Sequence, residues 1–569
     1  MKNIQVDMFE VQLGAALLLQ FRLTNGQVVR VLADAGVDKS SGYKVEHVYN
    51  KLFRSDGEPT DVWTDFSDSK PKLDLIIGTH YDADHLRGLA PIIENTSLDI
   101  GEIWLPPVQD DAGKVSTGSV AGGDASLVKR LMADGGNEVL HRYLSKRVER
   151  INDVDRVYGI DANALGNNPR ESDARHDGSP ERMKQFQEER FDAHNIVASQ
   201  PSATPDFFEG HLDRACSLLG EDGGHAHEYE FEDDRTFVEA VDALKDRAVH
   251  HWMTGDLFGL SNYDDSVMRP SARGWLSSAT LHSDQLALEN IRKSAANEAI
   301  NATSLAEVVA AVKRRHATGG SRIRIRSEGI PQGSPRYFHW NGQRFQEANA
   351  QAPAELGFHV LGPSHELVAQ LHEQLPIGTY LLAYRTEGLA SGTVTPSNRL
   401  SYVVRFHLQE QNILVSGDAG FSDFAPTRST QYFPALLALL KPLHVVQVAH
   451  HGGLNHRFYQ ALDSADMPGQ TDWSFLLLSH AVNDKTRPRA EFSRFVAQFR
   501  QDARNDVSAL FTSHPMPDKV DTIDDLIHPV VPAGNASADR GDVRLSFPHQ
   551  GDAARGGTRW QVSKHAIQV

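Results

Sequence analysis

Residues 78–89 read GTHYDADHLRGL and set two carboxylates between two histidines, all within the six positions His80 to His85. The set follows directly on Leu75-Ile76-Ile77, a run apolar enough to lie inside a sheet. Soluble folding alone does not ask for such crowding, because charged groups behind a buried strand are costly unless they are paired or bind a metal. The arrangement makes sense when the strand is a rigid post and the loop it carries is the floor of a metal site. If the strand end stays extended, alternation turns residues 80, 82 and 84 to one side, and His85 begins the following helix. Imidazole nitrogens mixed with carboxylate oxygens suit zinc, manganese or iron; calcium takes oxygen alone. His80, Asp82, Asp84 and His85 thereby offer four ligands to one or two ions.

Two later strand ends carry the same chemistry. NILVSGDAG sets Asp418 behind an apolar run, and VVQVAHHGGLNH sets His450 and His451 behind another, with Gly452 and Gly453 keeping the backbone tight. Several strands ending in Asp or His build a metal site at one rim of a sheet. Each feature alone has a plain explanation, a turn cap for Asp418 or a core histidine for His450. Three together, in this order, are harder to explain that way.

At 569 residues the chain exceeds what one core usually fills, about 250–300 residues. The first hundred residues predict strands in MKNIQVDMFEVQ, ALLLQFRL, VVRVLADAG and KLDLIIGTH, with a hairpin turn at Asn25-Gly26 and a helix over HLRGLAPIIENT. From about 110 to 310 strand runs vanish, and helical spacing takes over in DDRTFVEAVDALKDRAVHHW and SLAEVVAAVKRRH. After about 320 strands return in IRIRSEGI, GFHVLGPS, LSYVVRFHL, QNILVSGDAG, LHVVQVAHHGG and SFLLLSHAV, with helices in ALLALLKPL and AEFSRFVAQFRQ. DVRLSFPHQ and TRWQVSKHA add two terminal strands. The expected class is α/β: two sheets packed together with helices outside. Its divisions are residues 1–110, an insertion of helix and loop at 111–315, and 316–569.

The set of motifs resembles the metallo-β-lactamase fold hydrolases, whose signature is a His-x-(His/Asp)-x-Asp-His loop, a later Gly-Asp and a further His. Within that superfamily it is similar to the metallo-β-lactamase-like domain of bacterial DNA-uptake channel proteins of natural competence. The matching pieces are Thr79 to His85, Val360-Leu361-Gly362-Pro363, Asn398 to Ser401, Gly417-Asp418 and His450-His451-Gly452. The likeness covers about residues 1–100 and 320–510 and leaves out the segment between them. It implies an αββα sandwich with a large insertion and two divalent ions, Zn2+ or Mn2+. His80 and Asp82 would hold one ion and Asp84 and His85 the other, with Asp418 bridging. His450 or His451 would complete the second site; His450 is favoured, with His451 beside it. The pattern departs from the family after Ser479, where Arg487-Pro488 stands in place of His-Pro, and at Gly452-Gly453 in place of Gly-Ser. No histidine sits in an obvious third-ligand position before Asp418, although His359 and His365 are candidates.

Such a site implies metal-assisted hydrolysis, since a bound ion lowers the pKa of water from about 16 to about 7. Asp84 and Asp418 would orient the nucleophile, and Lys485 or Arg487 would neutralise charge on phosphoryl oxygens. The expected substrate is a phosphodiester, in DNA or another nucleic acid. Two basic stretches, Lys313 to Arg326 and Lys485 to Arg504, favour a polymer, whereas the net charge of −18 opposes indiscriminate binding to one. Other readings are hydrolysis of a small molecule (a cyclic nucleotide, lactone or thioester) and a degenerate metallo-fold that binds a partner. The insertion is a candidate lid, substrate clamp, protein contact or contact with a second copy. Its His250-His251 and Thr254-Gly255-Asp256 echo the motifs in the wrong order, and His225-Ala226-His227-Glu228 lies in an acidic run. Cys216 is the only cysteine, and the N-terminal stretch lacks a secretory pattern, so the expected compartment is the cytoplasm, with no membrane span.

Overall fold

The computed structural model describes residues 2–36, 48–109, 126–147, 298, 301–348, 354–372, 395–528, 541–548 and 560–566, with short gaps inside these spans. The chain divides into two compact units. The first comprises Met1–Val139, Asn301–His372 and Val394–Val569; the second comprises Leu140–Ile300 and Glu373–Thr393. The helix through 301–317 therefore belongs to the first unit and not to the insertion expected at 111–315. The predicted helix at 233–252, the motif echoes at 225–228 and 250–256, and Lys485 lie outside the described residues.

The first unit is α/β, with two mixed sheets. The first sheet joins β1 (Lys2–Met8), β2 (Leu17–Arg22), β3 (Val28–Ala33), β4 (Lys72–Ile77), β5 (Asp99–Trp104) and β6 (Arg324–Arg326) to β16 (Gly541–Pro548) and β17 (Gln561–Ala566). Their order is β17-β16-β1-β2-β3-β4-β5-β6, antiparallel through β3 and parallel from β3 to β6. The second sheet contains β7 (Arg336–Trp340), β8 (Phe345–Ala348), β9 (Leu356–Gly362), β10 (Val403–Leu408) and β11 (Gln411–Val415). It continues through β12 (Val445–Gln447), β13 (Trp473–Leu478), β14 (Asp506–Phe511) and β15 (Ile527–His528). Here the order is β15-β14-β13-β12-β11-β10-β9-β7-β8, with β11 to β15 parallel.

Period-2 alternation fixes what each face does. Leu17, Leu19 and Phe21 of β2 join Phe358, Val404 and Phe406 of the second sheet in one core. Trp104 meets Phe338 edge-on at 4.9 Å, and Phe21 stacks on Phe406 at 6.0 Å, so aromatic rings bridge the sheets. Each such pair contributes about 0.5–1.5 kcal/mol beyond its buried area. Leu18, Leu32 and Ile76 point the other way and are also buried, the pattern of strands covered on both faces.

The helix expected over 85–96 is broken into Ala83–Leu86 and Leu89–Glu94. A Cβ on Gly88 would come within 1.9 Å of the Ala35 carbonyl oxygen, so close backbone approach sets the break. Outside, Arg315 ties the 301–317 helix to the end of the Leu89–Glu94 helix and the turn that follows, donating to the carbonyls of Ile93, Asn95 and Leu98 at 2.9, 2.7 and 2.5 Å. In the second unit Arg147 pairs with Glu298 at 3.0 Å and lies over the Tyr143 ring at 3.6 Å. No described helix is long and apolar enough to cross a membrane.

Candidate metal centre

Parallel strands present their C-terminal ends at one edge, where open α/β sheets bind ligands. Asp34 follows β3, the 80–85 loop follows β4, Asp418 follows β11, and His450 and His451 follow β12. Residues separated by hundreds of positions meet there. Asp418 Oδ1 lies 3.5 Å from His85 Nε2 and 3.4 Å from His451 Nε2, while Oδ2 lies 3.9 Å from His80 Nε2. His80 Nε2 is also 3.6 Å from Asp82 Oδ2, and the His80 and His85 rings are 3.9 Å apart. Asp84 groups with His85 and His451, with ligand atoms all within 4.8 Å.

Hydrogen bonds behind the ligands set which nitrogen faces the centre. Asp34 is fully buried; it accepts from Thr79 N at 2.7 Å and from Thr79 Oγ1 at 2.5 Å, and His85 Nδ1 is 2.8 Å away. A carboxylate only accepts, so His85 Nδ1 carries a proton. The Thr79 hydroxyl spends its one proton on Asp34, so at 3.1 Å it accepts from His80 Nδ1. Both rings are thereby fixed with Nε2 toward Asp418, the orientation that outer carboxylates impose on metal-binding histidines.

Gly417 makes the approach of the two sheets feasible. Its φ is +49°, and a Cβ there would sit 2.2 Å from Thr79 Oγ1. His450 and His451 both occupy the left-handed region, at φ 56° and 53°, with His450 N donating to the Gly417 carbonyl at 3.2 Å. Non-glycine residues hold that conformation at a cost of about 1–3 kcal/mol each, and such strain gathers at functional sites.

Burial would raise the Asp418 carboxyl, but the imidazoles of His451, His85 and His80 hold it well below its usual value. Burial would lower His85, yet Asp418 and Asp34 push it up to about 10. His451 is lowered by burial, with Asp418 opposing. Asp82 is lowered against its burial, chiefly by His80.

A divalent cation fits this set. His80 Nε2, His85 Nε2, His451 Nε2 and Asp418 Oδ1 are buried without a hydrogen-bond partner among the described residues. An orphaned buried polar atom costs about 1–3 kcal/mol, and here three imidazole nitrogens converge on one buried carboxylate. A metal ion is a partner that all four can share.

Of the two adjacent histidines the structure brings His451, not the favoured His450, to Asp418. The rings diverge because both residues turn through the left-handed region, and their centres are 6.4 Å apart. His450 belongs to neither ligand group found among the described residues. His359 packs against Tyr337 and His407 on the other face of the second sheet, and His365 starts a helix by Ile330, so neither supplies a third ligand. Arg487 is buried, 3.4 Å from Asp484, and its charge helps to lower His451. Asp34 escaped the sequence reading. Its signal was LADAG behind β3, an echo of SGDAG around Asp418. No family model matches the chain, and no curated protein matches it.

Proposed function

We propose that the chain is a metal-dependent hydrolase that cleaves phosphodiesters, with nucleic acid as its substrate and a metallo-β-lactamase-type αββα sandwich as its frame. The observation that carries the reading is the convergence of three buried imidazole Nε2 atoms, of His80, His85 and His451, within 3.9, 3.5 and 3.4 Å of the Asp418 carboxylate. His80, Asp82, Asp84, His85, Asp418 and His451 would hold two ions, Zn2+ or Mn2+. Such ions supply Lewis acidity that acidifies water and neutralises phosphoryl charge. Asp34 and Thr79 keep the two histidines in the metal-accepting tautomer. Asp84 is partly exposed, which leaves its carboxylate available to orient an attacking water. Arg487 supplies positive charge beside His451 for a developing phosphoryl oxyanion.

One observation favours a smaller substrate. Much of the first basic stretch serves the fold: Arg315 is tied to three carbonyls, Arg314 Nε bonds Glu94 at 2.7 Å, and Arg326 pairs with Glu102 at 2.5 Å. Of its arginines Arg314, Arg322 and Arg324 are exposed, and Arg314 is engaged with Glu94. A small phosphodiester needs no basic channel, and this is the second reading.

Incubation with plasmid, single-stranded DNA, RNA and bis-p-nitrophenyl phosphate in Mn2+ or Zn2+ separates the two. Cleavage of a polymer supports the first reading, and cleavage of the ester with every polymer intact supports the second. An Asp84→Ala, His85→Ala double variant should lose activity while keeping its far-UV circular dichroism. Activity that survives that variant refutes the site.

A further inference from the structure

We infer that Asn301 is a positioning residue for Asp82, and that by holding one oxygen of that carboxylate it sets which cations the centre accepts. The inference rests on the metal-centre reading above. Asn301 is buried, at 6 % exposure, and its Nδ2 donates to Asp82 Oδ1. The other oxygen, Oδ2, is the one 3.6 Å from His80 Nε2. The two oxygens of Asp82 are thus divided, one committed to an amide and one turned to the imidazoles.

The amide is held by a braced helix. Arg315 anchors the 301–317 helix to three backbone carbonyls, Arg314 bonds Glu94, and Glu307 lies 3.7 Å from Arg87 Nε. All these partners follow the 80–85 loop in the chain, so the donor and the carboxylate it holds share one rigid frame. Asn301 also follows directly on Ile300, the last residue of the second unit's first segment.

A carboxylate with one oxygen occupied coordinates through the other alone. Zinc is satisfied by about four ligands, so one oxygen from Asp82 suffices. Calcium takes roughly six to eight oxygens and uses bidentate carboxylates to reach that number. Holding Oδ1 therefore keeps the site short of oxygen and disfavours calcium. Without the amide, Oδ1 loses its committed donor, and the carboxylate, still held by Ser397 and His80, is able to offer both oxygens.

The test uses full-length protein stripped with chelator, titrated with Zn2+ against a chromophoric zinc indicator and with Ca2+ by calorimetry. Asn301→Leu keeps the volume and removes the donor. It should bind Zn2+ about 10–100-fold more weakly, as changes behind metal ligands do, and the Zn2+/Ca2+ affinity ratio should fall at least about tenfold. Asn301→Gln, which retains a donor, should recover part of that ratio. A packing defect alone would shift the melting temperature and leave the ratio unchanged. If Asn301→Leu fails to fold, Asn301→Ser decides by the same ratio. Wild-type protein that binds no Zn2+ overturns the metal-centre reading itself. Wild-type binding with an unchanged ratio in the variant overturns only the role of Asn301.

Discussion

Gly417→Ala tests whether the tips of β4 and β11 are as tightly opposed as the proposed metal centre requires. The new Cβ would lie 2.2 Å from Thr79 Oγ1, 2.6 Å from Thr79 Cβ and 3.3 Å from Thr79 Cγ2. Thr79 has nowhere to go. Its N–H and hydroxyl bond Asp34, and its carbonyl accepts from Tyr402 N at 2.6 Å. Rotating the side chain moves the hydroxyl and leaves Cβ in place. Alanine at φ +49° adds about 1–2 kcal/mol of left-handed strain, and overpacking a filled site adds about 1–3 kcal/mol. The expected loss is roughly 2–5 kcal/mol, read as a lower urea midpoint at unchanged slope in metal-stripped protein. Asp418 follows Gly417 directly, so Zn2+ affinity should fall at least about tenfold, the effect of disturbing a ligand's support. A loss under about 0.5 kcal/mol, the range of an uneventful surface change, together with unchanged Zn2+ affinity, would refute the packing argument.

Two further outcomes follow from neighbouring geometry. His451→Ala should bind one fewer Zn2+ equivalent by calorimetry, whereas His450→Ala should retain the wild-type stoichiometry; the reverse result would restore His450 as the ligand. Burial pushes the Asp423 carboxyl up to about 6, against its bonds from Ser364 N and Oγ. A carboxyl raised on folding contributes fully below its unfolded value near 4, and that contribution is lost as pH rises through 6. The difference is about 3 kcal/mol. Asp423→Asn does not ionise, so its stability relative to wild type should improve by about that amount between pH 4 and 7.5. Parallel pH curves for the two proteins would show that Asp423 ionises as freely folded as unfolded.

The candidate site residues were legible because they sit where apolar runs stop. Leu75-Ile76-Ile77 before His80 and Ile413-Leu414-Val415 before Asp418 mark strand ends from composition alone. Choosing between His450 and His451 was beyond that signal, since their left-handed turn depends on the Gly417 carbonyl, supplied by another strand. Asp34 was hidden because its role is to accept from Thr79 and hold His85, contacts across 45 and 51 positions. The β7–β8 hairpin went unread although Asn341-Gly342 repeats the Asn25-Gly26 signal, because RYFHW and FQEA alternate weakly. β16 pairs with β1 across more than 500 residues, a neighbour relation that no local pattern specifies. The helix through 301–317 carries the composition of the region before it, and it is Arg315, reaching three carbonyls, that joins it to the first unit.

The most direct measurement is the metal content of protein purified without chelator, by plasma mass spectrometry, before and after dialysis against EDTA. The proposal predicts about two equivalents of zinc or manganese per chain, removable by EDTA with a drop in melting temperature and restored on adding metal back. Protein that is metal-free as isolated, takes up neither ion, and melts at the same temperature in their presence would contradict it.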